Sequence, residues 1–486
     1  MTLEGRSRWL ALYVLCLATL MIVLDMTIVN VALPSIKDDL GFTETSLAWV
    51  VNAYLLTYGG CLLLGGRFGD LFGHRRLFLA GIALFTLASL LCGISTAKGM
   101  LVGARAVQGI GGAVASAVSL SLMMTLFTEP AERAKAMGIF GFVAAGGGSV
   151  GVVLGGVLTD FLNWHWIFLV NVPIGVLVTV LSLRLLPGTP GTAAGQRIDV
   201  AGAVTVTGAL MLAVYAIVNG NDTGWTSAQT LGLLGGSAAL AVVFLWLESH
   251  VRAPLVPLRL FRLRNLSTAN VVGILWAAAM FAWFFLAALY MQFVLGFSPL
   301  QIGLAFLPSS LIMAVFSIGL SARMVMRFGI SRPLAVGLLL ATAGLALFVR
   351  LPVHGSFLTD VFPSMLLLGF GAGMAFNPVL LAAMNDVDPS EAGLASGVVN
   401  TSFMMGGALG LAVLASIADS RTHSLSASGS SHVAALTGGY HLAFIVGASF
   451  AATAAILGGL LLPTGAPSGG HAGEEAPGRP ATSEAA

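Results

Sequence analysis

The first long apolar segment of the chain reads LALYVLCLATLMIVLDMTIVNVAL, from Leu10 to Leu33. About 20 residues of this kind form a helix that crosses the hydrocarbon core of a bilayer. The segment contains one charged residue, Asp25. A carboxylate there costs roughly 2.5–3.5 kcal/mol on insertion scales, so an intramembrane acid indicates a functional site by default. The alternative is a structural acid that is paired or reaches the headgroups near a helix end.

The composition of the whole chain indicates the same class of protein. Of its 486 residues, 57% are hydrophobic and 9% are charged, whereas soluble globular chains carry about 25% charged residues. We therefore predict an all-α polytopic membrane protein without a soluble catalytic domain. The three cysteines lie in different apolar segments, and the net charge is +2. This pattern suggests neither a disulfide framework nor a metal site, and we expect no cofactor and no nucleic-acid partner.

Fourteen segments have the length and apolarity of a membrane-spanning helix. They lie near residues 10–33, 45–66, 77–95, 100–126, 136–158, 165–186, 200–219, 228–247, 267–293, 299–322, 333–350, 361–384, 393–416 and 439–462. Because the number is even, both termini are expected on the same side of the membrane. The first segment is too long for a signal peptide and contains an acid, so we expect it to remain as an anchor.

Basic residues concentrate on one side of these predicted spans. With the amino terminus in the cytoplasm, 17 of the 22 lysines and arginines are cytoplasmic, four lie on the opposite side, and Arg105 lies within a span. Cytoplasmic loops of membrane proteins carry such an excess of positive charge. We therefore predict a multi-pass protein of the plasma or inner membrane with both termini in the cytoplasm.

Two distant segments of the chain resemble each other. Residues 128–138 match residues 387–397 at three positions with one spacing of 259 residues, namely Pro130/Pro389, Glu132/Glu391 and Gly138/Gly397. Many secondary transporters consist of duplicated six-helix halves with a substrate site between them. The alternative is chance similarity between helices rich in glycine and alanine.

The repeat predicts a division of the chain into four parts. We expect two pseudo-symmetric six-helix bundles and an inserted helix pair, with a tail that lacks the apolar residues to fold. The predicted parts are the N-terminal bundle 10–186, the inserted pair 200–247, the C-terminal bundle 267–462 and the disordered tail 463–486.

Two polar residues of the fourth predicted span share one helix face, because Arg105 and Gln108 are three positions apart. An arginine stays protonated in proteins, so Arg105 cannot carry the transported proton itself. We expect it to hold or release a carboxylate, or to lower the pKa of a nearby carboxyl group until substrate arrives. The alternative is an arginine that extends along the helix to the membrane surface.

The second half lacks these ionisable residues. At the nearest repeat spacings, Met280 and Met365 occupy the positions of Asp25 and Arg105. The ionisable chemistry is therefore expected in the first half, and the second half is expected to supply an apolar wall. Aromatic residues of the ninth predicted span are candidates for that wall or, alternatively, for core or lipid-facing positions; they are Trp276, Phe281, Trp283, Phe284, Phe285 and Tyr290.

The segment between the second and third predicted spans combines glycines, an acid and bases, namely Gly66, Asp70, Gly73, Arg75 and Arg76. The glycines allow close backbone approach and turning. A neighbouring helix N-terminus can accept the Asp70 carboxylate, and the two arginines can hold it in one of two conformations. The alternative is ordinary cytoplasmic positive charge, which explains the arginines but not the Gly–Asp–Gly spacing.

The fifth predicted span carries a stripe of small residues. Gly147, Gly151 and Gly155 recur every four positions, and Gly156 follows. Such stripes permit tight helix contact in membranes, and packing alone is an equal explanation for them.

In these segments the chain resembles the major facilitator superfamily, specifically its fourteen-helix drug:proton antiporter group, over roughly residues 10–462. Residues 24–34 resemble the helix 1 signature, 66–76 the gating loop, 105–109 the helix 4 proton-coupling motif and 147–156 the helix 5 antiporter motif. The segment 164–175 is similar to the start of the group's helix 6.

The resemblance implies roles for individual residues. Asp25, Asn30, Arg105 and Gln108 are expected to couple protons to substrate translocation, the residues of 66–76 to gate, and the glycines of 147–156 to pack helices. The chain departs from the family pattern at Val152, where a proline is usual, and at Leu71 and His74, where bases are usual.

The implied function is that of a proton-coupled antiporter, not an enzyme, which exports amphipathic organic compounds such as drugs or antibiotics. Its expected partners are the small-molecule substrate, protons and membrane lipid. A dedicated exporter of one endogenous metabolite, such as a host-made antibiotic, remains open. A membrane-embedded enzyme would need paired carboxylates, a histidine cluster or an exposed nucleophile, whereas the eight histidines are scattered. No glycine-rich phosphate loop with Lys-Ser/Thr is present, so no ATP is expected.

The predicted orientation can be tested by chemical labelling. A cysteine introduced within 424–431 should react with a membrane-impermeant maleimide added to intact cells, because this loop is expected outside. A cysteine within 187–196 should react only after permeabilisation. The opposite labelling pattern would overturn the orientation inferred from the basic residues.

Overall fold

The computed structural model describes residues 5–127, 129–188, 199–251, 254–316, 320–387 and 392–464. These residues form helices without a β-strand. The predicted tail 463–486 lies almost entirely outside them. In chain order, the helices are α1 (Gly5–Leu40), α2 (Glu44–Phe72), α3 (His74–Gly93), α4 (Lys98–Leu126), α5 (Pro130–Phe161), α6 (Trp166–Leu169), α7 (Asn171–Leu185), α8 (Val200–Thr223), α9 (Ala228–His250), α10 (Arg264–Phe293), α11 (Pro299–Val315), α12 (Ser321–Phe328), α13 (Ser331–Phe348), α14 (Phe362–Met384), α15 (Ala392–Ala427) and α16 (His432–Leu461).

Twelve helical segments of the described residues are long and apolar enough to cross a membrane. The sequence predicts fourteen spans. The fifth and tenth predicted spans correspond to α5 and α11, which contribute the shorter apolar segments Val150–Phe161 and Pro299–Val315. The prediction of an all-α polytopic membrane protein is therefore confirmed, whereas these twelve segments do not by themselves establish the count of fourteen.

The helices pack into two groups that follow the order of the chain. In the first group, α4 packs between α2 and α3, while α1 packs against α5 and α7. In the second group, α13 packs between α14 and α16, while α10 packs against α15 and α16. The groups meet where α5 packs on α11 and α2 packs on α15, with α1 touching α10.

Glycines let helices of each group cross at backbone distance. A Cβ atom added to Gly111 of α4 would lie 2.9 Å from the carbonyl oxygen of Gly81 in α3. A Cβ added to Gly371 of α14 would lie 2.7 Å from the carbonyl oxygen of Gly337 in α13. Gly81 and Gly337 are 256 residues apart, and Gly111 and Gly371 are 260 apart. The two crossings therefore follow the spacing of the sequence repeat.

The predicted glycine stripe of α5 contacts two different helices. Gly147, Gly151 and Gly155 face α1, where a Cβ on Gly155 would lie 2.7 Å from the carbonyl oxygen of Ile28. Gly156 faces α11, because a Cβ there would lie 2.8 Å from the carbonyl oxygen of Pro299. The stripe thus joins α5 to its own group and to the other one.

The second group has a matching stripe on α15. Gly406 and Gly410 lie 259 residues after Gly147 and Gly151. A Cβ on Gly410 would collide with Ala278 of α10, just as the α5 stripe lies against α1. Each group therefore uses the same glycine positions to bring equivalent helices together.

The helices α8 and α9 lie beside both groups. α8 packs against α2 and against α15, and α9 packs on α8. The amide of Asn221 near the end of α8 donates to Asp419 of α15 over 3.0 Å. Large apolar side chains of the pair, such as Val204, Val242 and Trp246, are exposed, as expected for helices that face lipid.

The backbone crossing of α3 and α4 can be tested with two alanine variants. A methyl group on Gly111 meets main-chain atoms that cannot rotate away, so we expect Gly111→Ala to lower the thermal stability of the detergent-solubilised protein. Overpacking of this kind costs about 1–3 kcal/mol.

Gly103→Ala on the same helix is the matched control. No atom of the described residues lies within 4 Å of a Cβ at Gly103, and replacing a helical glycine with alanine gains roughly 1 kcal/mol. Equal melting temperatures for the two variants would contradict the crossing described here.

Candidate functional site

Asp25 lies in the middle of α1 and is completely buried. The neighbouring helices aim polar groups at it, so the carboxylate faces neither lipid nor solvent. The alternative of an acid that reaches the membrane headgroups is therefore wrong.

Arg105 of α4 is the charged partner of Asp25. Its Nη1 donates to Asp25 Oδ2 over 2.6 Å, and both side chains are at most 1% exposed. The same nitrogen donates to Gln108 Oε1 over 2.7 Å, and Nε donates to the carbonyl oxygen of Val50 in α2 over 2.9 Å. Arg105 is thus an inward-facing residue that bridges three helices, and it does not extend to the membrane surface.

Gln108 completes the same face of α4. Its Nε2 donates to Asp25 Oδ1 over 2.7 Å and to Ser89 Oγ of α3 over 2.8 Å. Ser89 in turn donates to the carbonyl oxygen of Phe85 over 2.8 Å. The thiol of Cys92 lies 3.8 Å from Gln108 Oε1. The amide is therefore held in one orientation by partners on each of its polar atoms.

A third donor to the carboxylate comes from α7. Asn171, the first residue of that helix, donates from Nδ2 to Asp25 Oδ1 over 2.9 Å and is completely buried. Within the part of the chain that the structure describes, its Oδ1 has no hydrogen-bond partner. Asn171 and Ser89 are not among the site residues predicted from the sequence. Each could be recognised in the sequence only as a neutral polar residue within an apolar segment. Such a residue indicates a functional site less strongly than a charged residue does.

Two aromatic rings enclose the guanidinium. Arg105 Cζ lies 4.3 Å from the ring centroid of Tyr54 in α2 and 5.6 Å from that of Phe168 in α6. Contacts of this kind between a cation and a ring face are attractive, more so when both are desolvated. The rings also separate the ion pair from solvent, which strengthens its electrostatic interaction.

This arrangement holds a carboxylate and a guanidinium as a net-neutral unit inside the first helix group. Removing one partner of such a buried pair costs about 3–5 kcal/mol, because the other charge is left without compensation. Protonation of Asp25 has a related effect, since it removes the negative charge that Arg105 faces. The charge balance of the site therefore depends on the protonation of this one carboxyl group.

Asn30 lies on the same helix as Asp25 but outside this cluster. Its Nδ2 donates to the carbonyl oxygens of Met26 and Thr27 in its own helix, over 3.3 and 3.4 Å. Of the four residues expected to couple protons to transport, the structure brings together Asp25, Arg105 and Gln108.

The predicted gating segment forms the junction of α2 and α3. Gly73 ends α2 with a φ of 91°, a conformation that favours glycine. Arg75 donates to the carbonyl oxygen of Leu183 near the end of α7, and Arg76 is exposed. Gly66 lies in α2. The side chain of Asp70 is outside the described residues, so the predicted contacts of its carboxylate stay a prediction.

The aromatic residues predicted to form a wall in the second half are mostly part of its core. Trp276, Trp283, Phe285 and Tyr290 are fully buried in α10. Trp276 also lines a small cavity of about 50 Å³ between α10, α14 and α15, together with Phe376, Val379, Leu380, Val399, Asn400 and Phe403.

Polar contacts join the two groups at the end of the bundle opposite to the chain termini. The hydroxyl of Tyr440 in α16 lies 3.2 Å from both carboxylate oxygens of Glu44 at the start of α2. Lys37 of α1 pairs with Glu44 over 3.2 Å and lies 4.1 Å from the ring centroid of Phe293 in α10. These contacts hold the ends of α1 and α2 against α10 and α16.

The comparisons with known proteins agree with this architecture. The chain matches the family model described as Major Facilitator Superfamily over residues 15–411. In three dimensions it is similar to the POT family transporter PepTSo, with a TM-score of 0.66, 16% identity, and coverage of 94% of this chain and 98% of that one. It is equally similar to a bacterial homologue of the human lysosomal transporter Spinster, with a TM-score of 0.66, 16% identity, and coverage of 94% and 97%. At this identity the likeness shows the fold.

Several sequence relatives are named as export or resistance proteins. The puromycin resistance protein pur8 of Streptomyces alboniger is 41% identical over 449 residues, which cover 90% of this chain and 89% of that protein. The cephamycin export protein CmcT of Amycolatopsis lactamdurans is 38% identical over 425 residues, or 87% of each chain. The lincomycin resistance protein of Streptomyces lincolnensis is 37% identical over 421 residues, or 85% of each chain. With its helical fold and its buried acid–arginine cluster, the chain belongs to the Major Facilitator Superfamily, in the drug-efflux group of that family.

Proposed function

We propose that this protein is a proton-coupled antiporter that exports amphipathic organic compounds across the cell membrane. The observation that carries the proposal is the buried ion pair of Asp25 and Arg105, with its 2.6 Å contact in the membrane-spanning part of α1 and α4. An ionisable pair at that depth is costly to maintain and marks ion pathways in membrane proteins. The export and resistance proteins among its relatives support the substrate class.

In the proposed cycle, a proton from outside neutralises Asp25 and leaves Arg105 without its counter-charge. The helices around the pair then rearrange, and release of the proton to the cytoplasm restores the pair. Each proton that moves inward supplies about 2.3 kcal/mol per 100 mV of membrane potential. For one proton and a neutral substrate, this energy supports a concentration gradient of about 40-fold. The protein itself makes and breaks no covalent bond in its substrate.

The proposed topology has fourteen membrane crossings with both termini in the cytoplasm. α5 and α11 complete the count of fourteen, because these two helices pack on each other where the two groups meet. In this proposal residues 10–186 and 267–462 are the two moving bundles, and 200–247 is an inserted pair that borders them. The repeated glycine crossings support this division.

Contacts at one end of the bundles assign the structure to one state of the proposed cycle. If the chain termini are cytoplasmic, the Tyr440–Glu44 and Lys37–Phe293 contacts lie at the outer end and hold the two bundles together there. The central site is then closed to the outside. Opening outward requires these contacts to break.

A dedicated exporter of one compound is the second candidate. The three relatives described above are each named for a single antibiotic, puromycin, cephamycin or lincomycin. Susceptibility of an efflux-deficient host that expresses the chain separates the two candidates. Protection against chemically unrelated compounds supports a multidrug exporter, whereas protection against one compound supports a dedicated one.

Replacing the buried acid tests the proposed coupling. We expect Asp25→Asn to insert and fold, because asparagine keeps the shape and part of the hydrogen bonding of aspartate. Proton-driven transport in proteoliposomes with an imposed pH gradient should be reduced to background, because the titrating charge is gone. The measurement is the initial rate of transport of a substrate identified in the susceptibility assay.

The matched control is Asp222→Asn, which removes an exposed carboxylate near the end of α8. This variant should transport at the wild-type rate. If Asp25→Asn also did so, with the wild-type pH dependence, Asp25 would be a structural acid and the proposed coupling would be wrong.

Removing the hydrogen bond between Tyr440 and Glu44 should shift the protein toward the outward-open state. Tyr440→Phe removes the hydroxyl that bonds to Glu44 and leaves the buried ring in place. A partly buried hydrogen bond contributes about 1 kcal/mol, so the ratio of outward-open to closed molecules should rise roughly 3–10-fold.

Spin labels at Thr96 and Ser428, in a background without the three native cysteines, report the separation of the two bundles at this end. Tyr440→Phe should enlarge the fraction of long distances, whereas Tyr13→Phe at an exposed position of α1 should not. Identical distance distributions for the two variants would show that Tyr440 does not hold the bundles closed.

A further inference from the structure

We propose that Asn171 is a positioning residue that holds Asp25 in both of its charge states. Its amide donates to the carboxylate and, after turning over, accepts from the carboxylic acid. The inference rests on the proposed function, in which Asp25 binds and releases a proton.

The geometry determines which oxygen of Asp25 takes the proton. Oδ2 faces the Arg105 guanidinium over 2.6 Å, whereas Oδ1 faces the neutral amides of Gln108 and Asn171 over 2.7 and 2.9 Å. A positive charge beside Oδ2 opposes the addition of a proton there. The incoming proton therefore forms an O–H bond at Oδ1, and no bond of the protein breaks in this step.

The new O–H group needs an acceptor, whereas the α4 atoms that contact Asp25 are donors, namely Nη1 of Arg105 and Nε2 of Gln108. Gln108 uses both of its N–H groups, on Asp25 and Ser89, and its Oε1 accepts from Arg105. If this amide turned over, its N–H groups would face the donors of the guanidinium. Ser89 already donates to the carbonyl oxygen of Phe85 and accepts from Gln108.

Asn171 has the spare acceptor. Its Oδ1 is buried and has no hydrogen-bond partner among the described residues, while its Nδ2 donates to Asp25. A half-turn about the Cβ–Cγ bond exchanges the positions of these two atoms. The surrounding side chains can accommodate the turn, because the oxygen and nitrogen of an amide have nearly the same shape. Oδ1 then stands next to Asp25 Oδ1 and accepts the acid proton. In each charge state of Asp25, one buried polar atom of Asn171 has no hydrogen-bond partner. The cost of that unpaired atom therefore favours neither the carboxylate nor the carboxylic acid.

The position of this amide is set by the packing around it. Asn171 begins α7 directly after the break that separates α7 from α6. One turn later, Gly175 lies in direct contact with Thr86 of α3. Since α7 also packs on α1, the amide is held against Asp25 by elements on both sides.

Few other titratable groups face Asp25. They are Arg105 from α4, Tyr54 from α2 and Cys92 from α3. The described residues of the remaining helices around Asp25 add no further charged partner to it. The charge at the site therefore changes mainly through Asp25 itself.

Infrared difference spectroscopy of the reconstituted full-length protein tests the inference. A pH titration should show a carboxylic-acid C=O band that is absent in Asp25→Asn and so belongs to Asp25. Replacing Asn171 with leucine, which has a similar shape but no polar atoms, should move this band to higher wavenumber, because the acid loses a hydrogen bond. Asn171→Ala is measured in parallel, so that the test stands if the leucine variant does not fold.

The matched control is Asn270→Leu. Asn270 is a buried asparagine of α10 in the other bundle, whose amide donates to the carbonyl oxygen of Leu266 over 2.9 Å. The Asp25 band of this variant should stay at the wild-type wavenumber. If the band also stays there in the folded Asn171 variants, the acid donates elsewhere and the inference is overturned. If wild-type protein shows no Asp25 band at any pH, the proposed coupling itself fails.

Transport provides an independent readout. Asn171→Leu should lower the rate of proton-driven transport about tenfold, the expected loss for one hydrogen bond to a charged group. Asn270→Leu should not change it. A wild-type rate and pH profile for Asn171→Leu would show that Asp25 does not depend on this amide.

Discussion

The buried ion pair of Asp25 and Arg105 is the interaction on which the first helix bundle depends. Two opposite charges lie 2.6 Å apart where neither reaches water. Desolvation makes such a pair unfavourable unless the geometry is good and the remaining polar atoms are bonded. Here the remaining bonds come from α2, α3 and α7 as well as from α1 and α4. The pair therefore constrains the relative positions of five helices at once.

Close helix crossings make that geometry accessible. A Cβ on Gly109, next to Gln108, would lie 2.5 Å from the carbonyl oxygen of Tyr54, so α4 approaches α2 at backbone distance. Thr57 of α2 donates to the carbonyl oxygen of Ala106 over 2.7 Å at the same crossing. Without this approach, Arg105 Nε would not reach the main chain of α2. Small residues thus contribute to the ion pair as well as to packing. They bring the helices close together, and the distance between helices determines how far a long polar side chain must extend.

The second bundle repeats the crossings but not the charges. Its glycines on α13, α14 and α15 occupy the positions of those on α3, α4 and α5, whereas Met280 and Met365 stand where the first bundle has its acid and arginine. The fold is therefore close to symmetric in its packing and asymmetric in its chemistry. In the proposed cycle one bundle responds to the proton, and the other provides a partner surface against which it moves. The Tyr440–Glu44 and Lys37–Phe293 contacts join the two bundles at the end opposite to the chain termini.

The sequence by itself determined the class of protein and singled out two charged residues within its apolar segments. Many apolar segments of about 20 residues indicate membrane-spanning helices, and the cost of an intramembrane charge singles out Asp25 and Arg105 without knowledge of their neighbours. The tertiary structure decided which groups surround that charge. Asn171 is 146 residues from Asp25 along the chain and Ser89 is 19 residues from Gln108, and neutral polar residues in apolar helices are too common to be recognised by composition. Asn30 is the opposite case, a residue that was predicted at the site but lies outside it. Its place in a matching motif suggested a role there, whereas its amide donates to a carbonyl oxygen of its own helix. A charge is recognisable from sequence because its burial is costly wherever it lies, whereas a hydrogen-bond partner is defined only by the distance and direction that packing creates.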